Sequence, residues 1–141
     1  MDTGNTWFKR VIGDLESWLD RGHGSPDFYL TQFFTGHGLF GSYLHKRKLA
    51  LSDRCVLCKY EIDTPEHTFF ACDGLSNERS KLEECLGEGL VVENIVPLML
   101  ESKENWFRIR NYVKDCLVLK KNASPPADAV PHGSSGVSAS N

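Results

Sequence analysis

The stretch CVLCKYEIDTPEHTFFAC, residues 55–72, holds three of the chain's five cysteines and one of its five histidines. Cys55, Cys58, His67 and Cys72 follow the pattern C-x2-C-x8-H-x4-C. Two thiols three residues apart on a tight turn can aim at one point. A histidine and a further cysteine complete a tetrahedral set of three sulfurs and one nitrogen, a set that suits zinc. Four protein ligands leave no open coordination position, so one such Zn2+ ion would be structural rather than catalytic. Thr64-Pro65-Glu66 reads as a cap and first turn, which puts His67 on a short helix or turn with Cys72 at its end. The stretch has few apolar side chains of its own (Val56, Leu57, Ile62, Phe69, Phe70), so metal binding would also be folding energy. Three readings compete. A thioredoxin-like redox pair also uses C-x2-C, but it follows a strand in a βαβ pattern that is absent here. Free cysteines pack as small hydrophobes. A Cys/His nucleophilic site needs a base within hydrogen-bond reach, which spacing alone does not reveal.

Working outward, the flanks read as helical. Residues 5–20 carry Trp7, Val11, Leu15 and Trp18 at spacings of three and four, the pattern of one amphipathic helix. Gly22 and Gly24 suit its C-cap, and Ser25-Pro26-Asp27 then reads as N-cap, first position and an acid at the next helix's positive end. That helix carries Phe28, Tyr29, Leu30, Phe33 and Phe34 and stops at TGHG, where Gly36 and Gly38 flank His37. A third helix, about 39–48, has Leu39, Phe40, Tyr43 and Leu44 on one side. After the cluster, LSNERSKLEECLG reads as a helix with Ser76 as cap, Leu82, Cys85 and Leu86 on one face, and Gly87 as terminator. VVENIVPLMLES is helical or extended, with Pro97 expected to interrupt or kink it. Residues 103–121 form a last helix, with Trp106, Ile109, Val113 and Cys116 in its stripe. Cys85 and Cys116 thus read as core residues, not as ligands or nucleophiles. From Asn122 the chain has no aromatic and one charge, too little to bury, so a disordered tail is expected. The expected fold is mainly α: a helical segment 1–54, a small CCHC zinc knuckle at 55–72, helices at 73–121 and a tail at 122–141.

The 141 residues favour one domain with a modest core, and 25% charged against 40% hydrophobic residues is a globular composition. No apolar run approaches the roughly 18–20 residues that span a bilayer, so no membrane association is expected. The opening MDTGNTWFKR lacks the order of an export signal, and an odd cysteine count argues against a paired disulfide framework. An intracellular protein, cytoplasmic or nuclear, is expected. The net charge of −3 argues against a nucleic-acid binder, but its distribution does not. Residues 39–60 hold Lys46, Arg47, Lys48, Arg54 and Lys59 against Asp53 alone; residues 61–104 hold eleven acids against three bases. A basic block beside a Cys/His cluster is what phosphate contact needs. Its plainer reading is a solvated helix end with lysines near the C-terminus. Tyr60, Phe69 and Phe70 could stack on unpaired bases or form a mini-core around the metal. His37 could touch phosphate, cap a helix or orient a neighbour, and its glycines favour a structural role.

The segment DFYLTQFFTGHGLFGSYLHKRKLALSDRCVLCKYEIDTPEHTFFAC resembles the region after the polymerase domain in Pol polyproteins of type-1, non-long-terminal-repeat retrotransposons, the ribosomal-DNA-inserting and jockey-like elements of insects. The likeness rests on LTQFFTGHG, on YLH shortly after, and on the C-x2-C…DTPEHTFFAC cluster, and it covers about three quarters of the chain. It implies a C-terminal nucleic-acid-binding zinc knuckle with Cys55, Cys58, His67 and Cys72 as ligands. The implied partners are element RNA, target DNA and the rest of the polyprotein, in target-primed reverse transcription. Such a polyprotein is similar to an RNA-directed DNA polymerase with an endonuclease. This chain holds no Tyr-x-Asp-Asp or other paired-aspartate motif for two-metal nucleotidyl transfer, so those activities are expected of other parts. The alternative is a zinc-stapled interaction module whose acidic helices dock on the polymerase domain without touching nucleic acid.

Overall fold

The computed structural model describes residues 6–38 and 40–123. Among these, eight α-helices and one 3-10 turn surround the Cys/His loop, with no β-strand beyond an isolated antiparallel bridge between Arg54 and Ile62. The helices are α1 (Thr6–Ile12), α2 (Leu15–Leu19), α3 (Phe28–Thr35), α4 (Gly41–Lys46), α5 (Pro65–Phe70), α6 (Ser76–Leu86), α7 (Val92–Glu101) and α8 (Lys103–Ala123); the 3-10 turn is Asp73–Leu75. No helix among the described residues is long and apolar enough to cross a membrane. The expected tail at 122–141 lies outside the described residues from position 124 onward, while Asn122 and Ala123 continue α8.

Helix α8 is the spine, packing against α3, α5, α6 and α7, while α1 bridges α3 and α7. Its buried residues Trp106, Ile109, Val113, Cys116 and Lys120 recur at spacings of three and four, so one stripe faces the core along its length. Phe33, Phe40 and Phe69 meet it from α3, the start of α4 and α5, and are fully buried. Their rings pack edge-to-face, Phe33 on Phe69 at 4.9 Å and Phe40 on Phe69 at 5.8 Å between centroids. Phe69, three residues before Cys72, is therefore the apolar anchor of the Cys/His loop. Tyr112 adds a polar one: its hydroxyl donates to the Phe69 carbonyl at 2.6 Å.

Several boundaries differ from the sequence reading. The helix expected over 5–20 is two helices. Gly13 adopts φ +69°, and the Asp14 carboxylate then accepts from the Glu16 N–H and the Ser17 hydroxyl, which caps a new helix. The break turns Leu15 and Leu19 to solvent. The start of α3 is capped by Asp27, not Ser25; its carboxylate accepts from the Leu30 N–H at 2.9 Å and from Arg110 on α8 at 2.6 Å. α4 is shorter than 39–48, and Leu39 lies outside the described residues. Ser76 begins α6 without capping it, because the 3-10 turn leads directly in. Cys85 is exposed at the edge of the α6 stripe, whereas Cys116 is buried as expected. α7 runs through Pro97 as a helix. A proline inside a helix costs about 3 kcal/mol. Burying Val92, Ile95, Val96, Leu98 and Met99, at roughly 1.5–3 kcal/mol each, outweighs that cost.

Gly24 is a close-approach residue, not a helix cap. At φ +90°, a Cβ there would lie 2.3 Å from the Trp106 ring. That ring also stacks on Trp18 at 5.7 Å, while His23 Nε2 donates to the Met99 carbonyl at 2.9 Å. Gly24→Ala is therefore expected to destabilise the fold by at least about 1 kcal/mol, read as a lower urea midpoint at unchanged slope.

Candidate metal centre

The loop between α4 and α5 is built by backbone hydrogen bonds that leave its thiols facing inward. The Cys55 N–H donates to the Glu61 carbonyl at 2.8 Å, and the Lys59 N–H to the Cys55 carbonyl at 3.0 Å. Lys59 takes φ +70°, a left-handed position uncommon for a side-chain-bearing residue, and it reverses the chain directly after Cys58. The Arg54 guanidinium clamps the return by donating to the Tyr60 carbonyl at 2.6 Å. On the far side, Thr64 caps α5 by accepting from the His67 N–H at 3.0 Å, and Pro65 occupies the first helical position. This sets His67 on the first turns of α5, as the TPE signal indicates. The Cys72 N–H donates to the His67 carbonyl at 2.8 Å, which folds the third cysteine back toward His67.

The four donor atoms of Cys55, Cys58, His67 and Cys72 all lie within 4.8 Å of one another. Cys55 and Cys72 Sγ are 3.7 Å apart; Cys58 Sγ and His67 Nε2 are 3.3 Å apart. A disulfide would require about 2.05 Å. Two thiolates on a tetrahedral zinc with bonds of about 2.3 Å sit about 3.8 Å from each other. The spacing is that of ligands around a shared ion, and the cluster fits a zinc knuckle. Cys55 and Cys72 are buried, Cys58 and His67 half-buried.

The titration behaviour suits a metal site. Burial pushes the Cys72 thiol up to about 12, so without a cation its proton is held tightly. Burial raises Cys58 most, but hydrogen bonds from the Tyr60 and Glu61 N–H groups and from the Cys55 and Cys72 side chains together leave this thiol below its ordinary value. Burial lowers His67, so the ring is neutral at neutral pH and offers a lone pair. Three thiolates and one imidazole around a divalent ion carry a net charge of −1. Arg79 lies on that side, donating through Nη2 to the Cys72 carbonyl at 2.9 Å. Its Nη1 is buried with no hydrogen-bond partner among the described residues.

Supporting residues that the sequence reading missed surround the loop. Gly74 lets the 3-10 turn press against it: a Cβ there would lie 2.9 Å from Leu57 Cβ and 3.5 Å from Cys72 Sγ. Asp63 is buried and accepts from the Gly41 N–H and the Thr68 hydroxyl, both at 2.8 Å. It also forms a buried ion pair with Lys120. That pair ties α4, the Cys/His loop, α5 and the end of α8 to one carboxylate. Lys120 carries its own signal, since it falls four residues after Cys116 on the buried stripe. Nothing marks Asp63 beyond its place before the TPE cap.

The five basic residues singled out from sequence are all exposed. Lys46 ends α4, Arg47 caps it, and Lys48 follows at φ +61°. Arg54 sits in the bridge and Lys59 in the turn after Cys58. Among the described residues none of the five is paired with a carboxylate. The aromatic residues divide. Phe69 is core, Phe70 is half-buried against Trp7, and Tyr60 is 77% exposed, not part of a mini-core.

The chain is similar to a retrovirus-related Pol polyprotein from the type-1 retrotransposable element R1 4 of Nasonia vitripennis, at 25% identity over 130 residues. The match covers 89% of this chain and 32% of the relative, so the chain spans about a third of that protein's length. No family model matches the chain, and no solved structure matches it. The likeness extends past the three quarters expected from the motifs, and it supports a retrotransposon-related role.

Proposed function

We propose that this chain is a zinc-organised nucleic-acid-binding region of a non-long-terminal-repeat retrotransposon Pol polyprotein. It would hold one structural Zn2+ on Cys55, Cys58, His67 and Cys72, and grip element RNA or target DNA during target-primed reverse transcription. The observation that carries this reading is the position of five exposed cations, none paired with a carboxylate among the described residues. Lys46, Arg47 and Lys48 end the helix that leads to the knuckle, and Arg54 and Lys59 lie on the knuckle itself. Without carboxylate partners these charges are available to phosphates, which give affinity that falls with salt and carries little sequence information. Polymerase and endonuclease activity would belong to other parts of the polyprotein, and the setting would be intracellular.

The test is Lys46→Ala/Arg47→Ala/Lys48→Ala in one chain. Its affinity for single-stranded RNA is expected to fall, and the log–log salt dependence to flatten by about 2, at roughly 0.7 per lost contact. Fluorescence anisotropy over a salt series measures both. An unchanged affinity and slope would favour the docking alternative, which has its own support in the acid-rich residues 61–104 and in exposed Leu15 and Leu19.

A further inference from the structure

The GHG turn after α3 has a geometry that the knuckle does not account for. Gly36 ends α3 at φ +74°, and a Cβ there would lie 3.3 Å from Pro65 of α5, so the turn rests on the knuckle helix. Gly38, at φ +93°, has Gln32 Oε1 where its Cβ would be, 2.1 Å away. Between these two constrained glycines, His37 is exposed. Its ring nitrogens make no hydrogen bond among the described residues. The ring is nevertheless held: it lies nearly parallel on Tyr43, with centroids 4.3 Å apart and planes 25° from each other. The Arg47 guanidinium is 5.7 Å from the centroid of the same tyrosine, and Lys46 and Lys48 flank it in sequence. A cleft of about 770 Å3 opens beside His37, lined also by Gln32, Thr35, Leu117 and Lys121. That volume lies in the roughly 300–1,000 Å3 range of small-ligand sites.

We infer that His37, stacked on Tyr43 beside Arg47, is a stacking site for an unpaired nucleobase of a single-stranded RNA or DNA. The inference rests on the nucleic-acid reading above and narrows it to single strands. An exposed imidazole that adds neither burial nor a hydrogen bond contributes little to the fold. Fixed in position with a π-face available, it meets what a base requires, and the neighbouring guanidinium and ammonium groups meet what its phosphates require. The stack is sequence-tolerant, since every base has a π-face.

The test uses the zinc-loaded full chain with a fluorescent 12-mer oligouridine and a duplex of equal length. His37→Ala and His37→Leu are each expected to lose about 5-fold or more in affinity for the single strand, the lower end of what stacking one base contributes. Duplex affinity is expected to stay within about twofold, and His37→Phe is expected to recover the single-strand affinity. Single-strand binding by His37→Ala equal to that of the parent chain overturns the inference, even if the melting temperature drops, because the pair is then only a staple for the turn. Equal losses for single strand and duplex overturn it too. Should His37→Ala not fold, the comparison of His37→Phe with His37→Leu decides: equal affinities overturn it. If the parent chain binds neither probe, the nucleic-acid reading itself fails. If binding depends on Lys46, Arg47 and Lys48 but not on His37, only the stacking site is lost.

Discussion

Cys55→Ala and His67→Ala are each expected to abolish stoichiometric zinc binding and unfold residues 55–72, while Cys85→Ala keeps one ion. The reason is energetic. The loop has little apolar burial of its own: Leu57 is half-buried, Ile62 and Tyr60 are exposed, and besides the ligands Cys55 and Cys72 only Pro65 and Phe69 are buried apolar residues. Its one ladder-like contact is a single bridge. Structural zinc sites in small peptides contribute on the order of 10–16 kcal/mol, far beyond what those contacts supply. Removing one of four ligands opens a coordination position and leaves the remaining donors close together without a complete shell to hold the ion. Native mass spectrometry reads the loss of the ion, and amide exchange reads the loss of protection over 55–72. Retained stoichiometric zinc in either ligand variant would contradict the assignment. Cys85 is the control because it is exposed on α6 and outside the cluster.

The second large effect is expected at the Asp63–Lys120 pair. Both side chains are about 1% exposed, and Asp63 also accepts from Gly41 and Thr68. Removing one partner leaves the other charge buried, which typically costs about 3–5 kcal/mol. Total stability for such a domain is on the order of 5–15 kcal/mol, so either single change takes a large share. Lys120→Met and Asp63→Asn are each expected to lower the urea midpoint strongly in the zinc-loaded chain. The double variant is expected to be less destabilised than the sum of the singles, because neither charge is then stranded. Single costs below about 1 kcal/mol, or simple additivity, would contradict a buried pair that locks α8 onto the knuckle.

Most of the candidate metal site is legible in the sequence because its signal is local. Ligand spacing, the TPE cap and the terminal cysteine lie within eighteen residues, and the backbone there has few ways to bring four donors together. The α8 stripe was legible for a similar reason, since Trp106 to Cys116 keep one period. Lys120 continues that period, but a lysine near a helix end reads as solvated, and its partner lies 57 residues away. Long-range pairing of that kind leaves no local mark. Gly13 was hidden by a hydrophobic period that runs unbroken across it, although Leu15 and Leu19 turn out exposed. Gly24 looked like a cap because its real constraint, the Trp106 ring, arrives from α8. At Pro97 the local cost is real, but tertiary burial on α7 exceeds it.

X-ray absorption at the zinc edge on the purified, zinc-loaded chain reads the coordination shell itself. One ion is expected, with about three sulfurs near 2.3 Å, one nitrogen near 2.0–2.1 Å, and no bound water. A shell dominated by oxygen or nitrogen, or a chain that retains no zinc after gel filtration, would contradict this coordination.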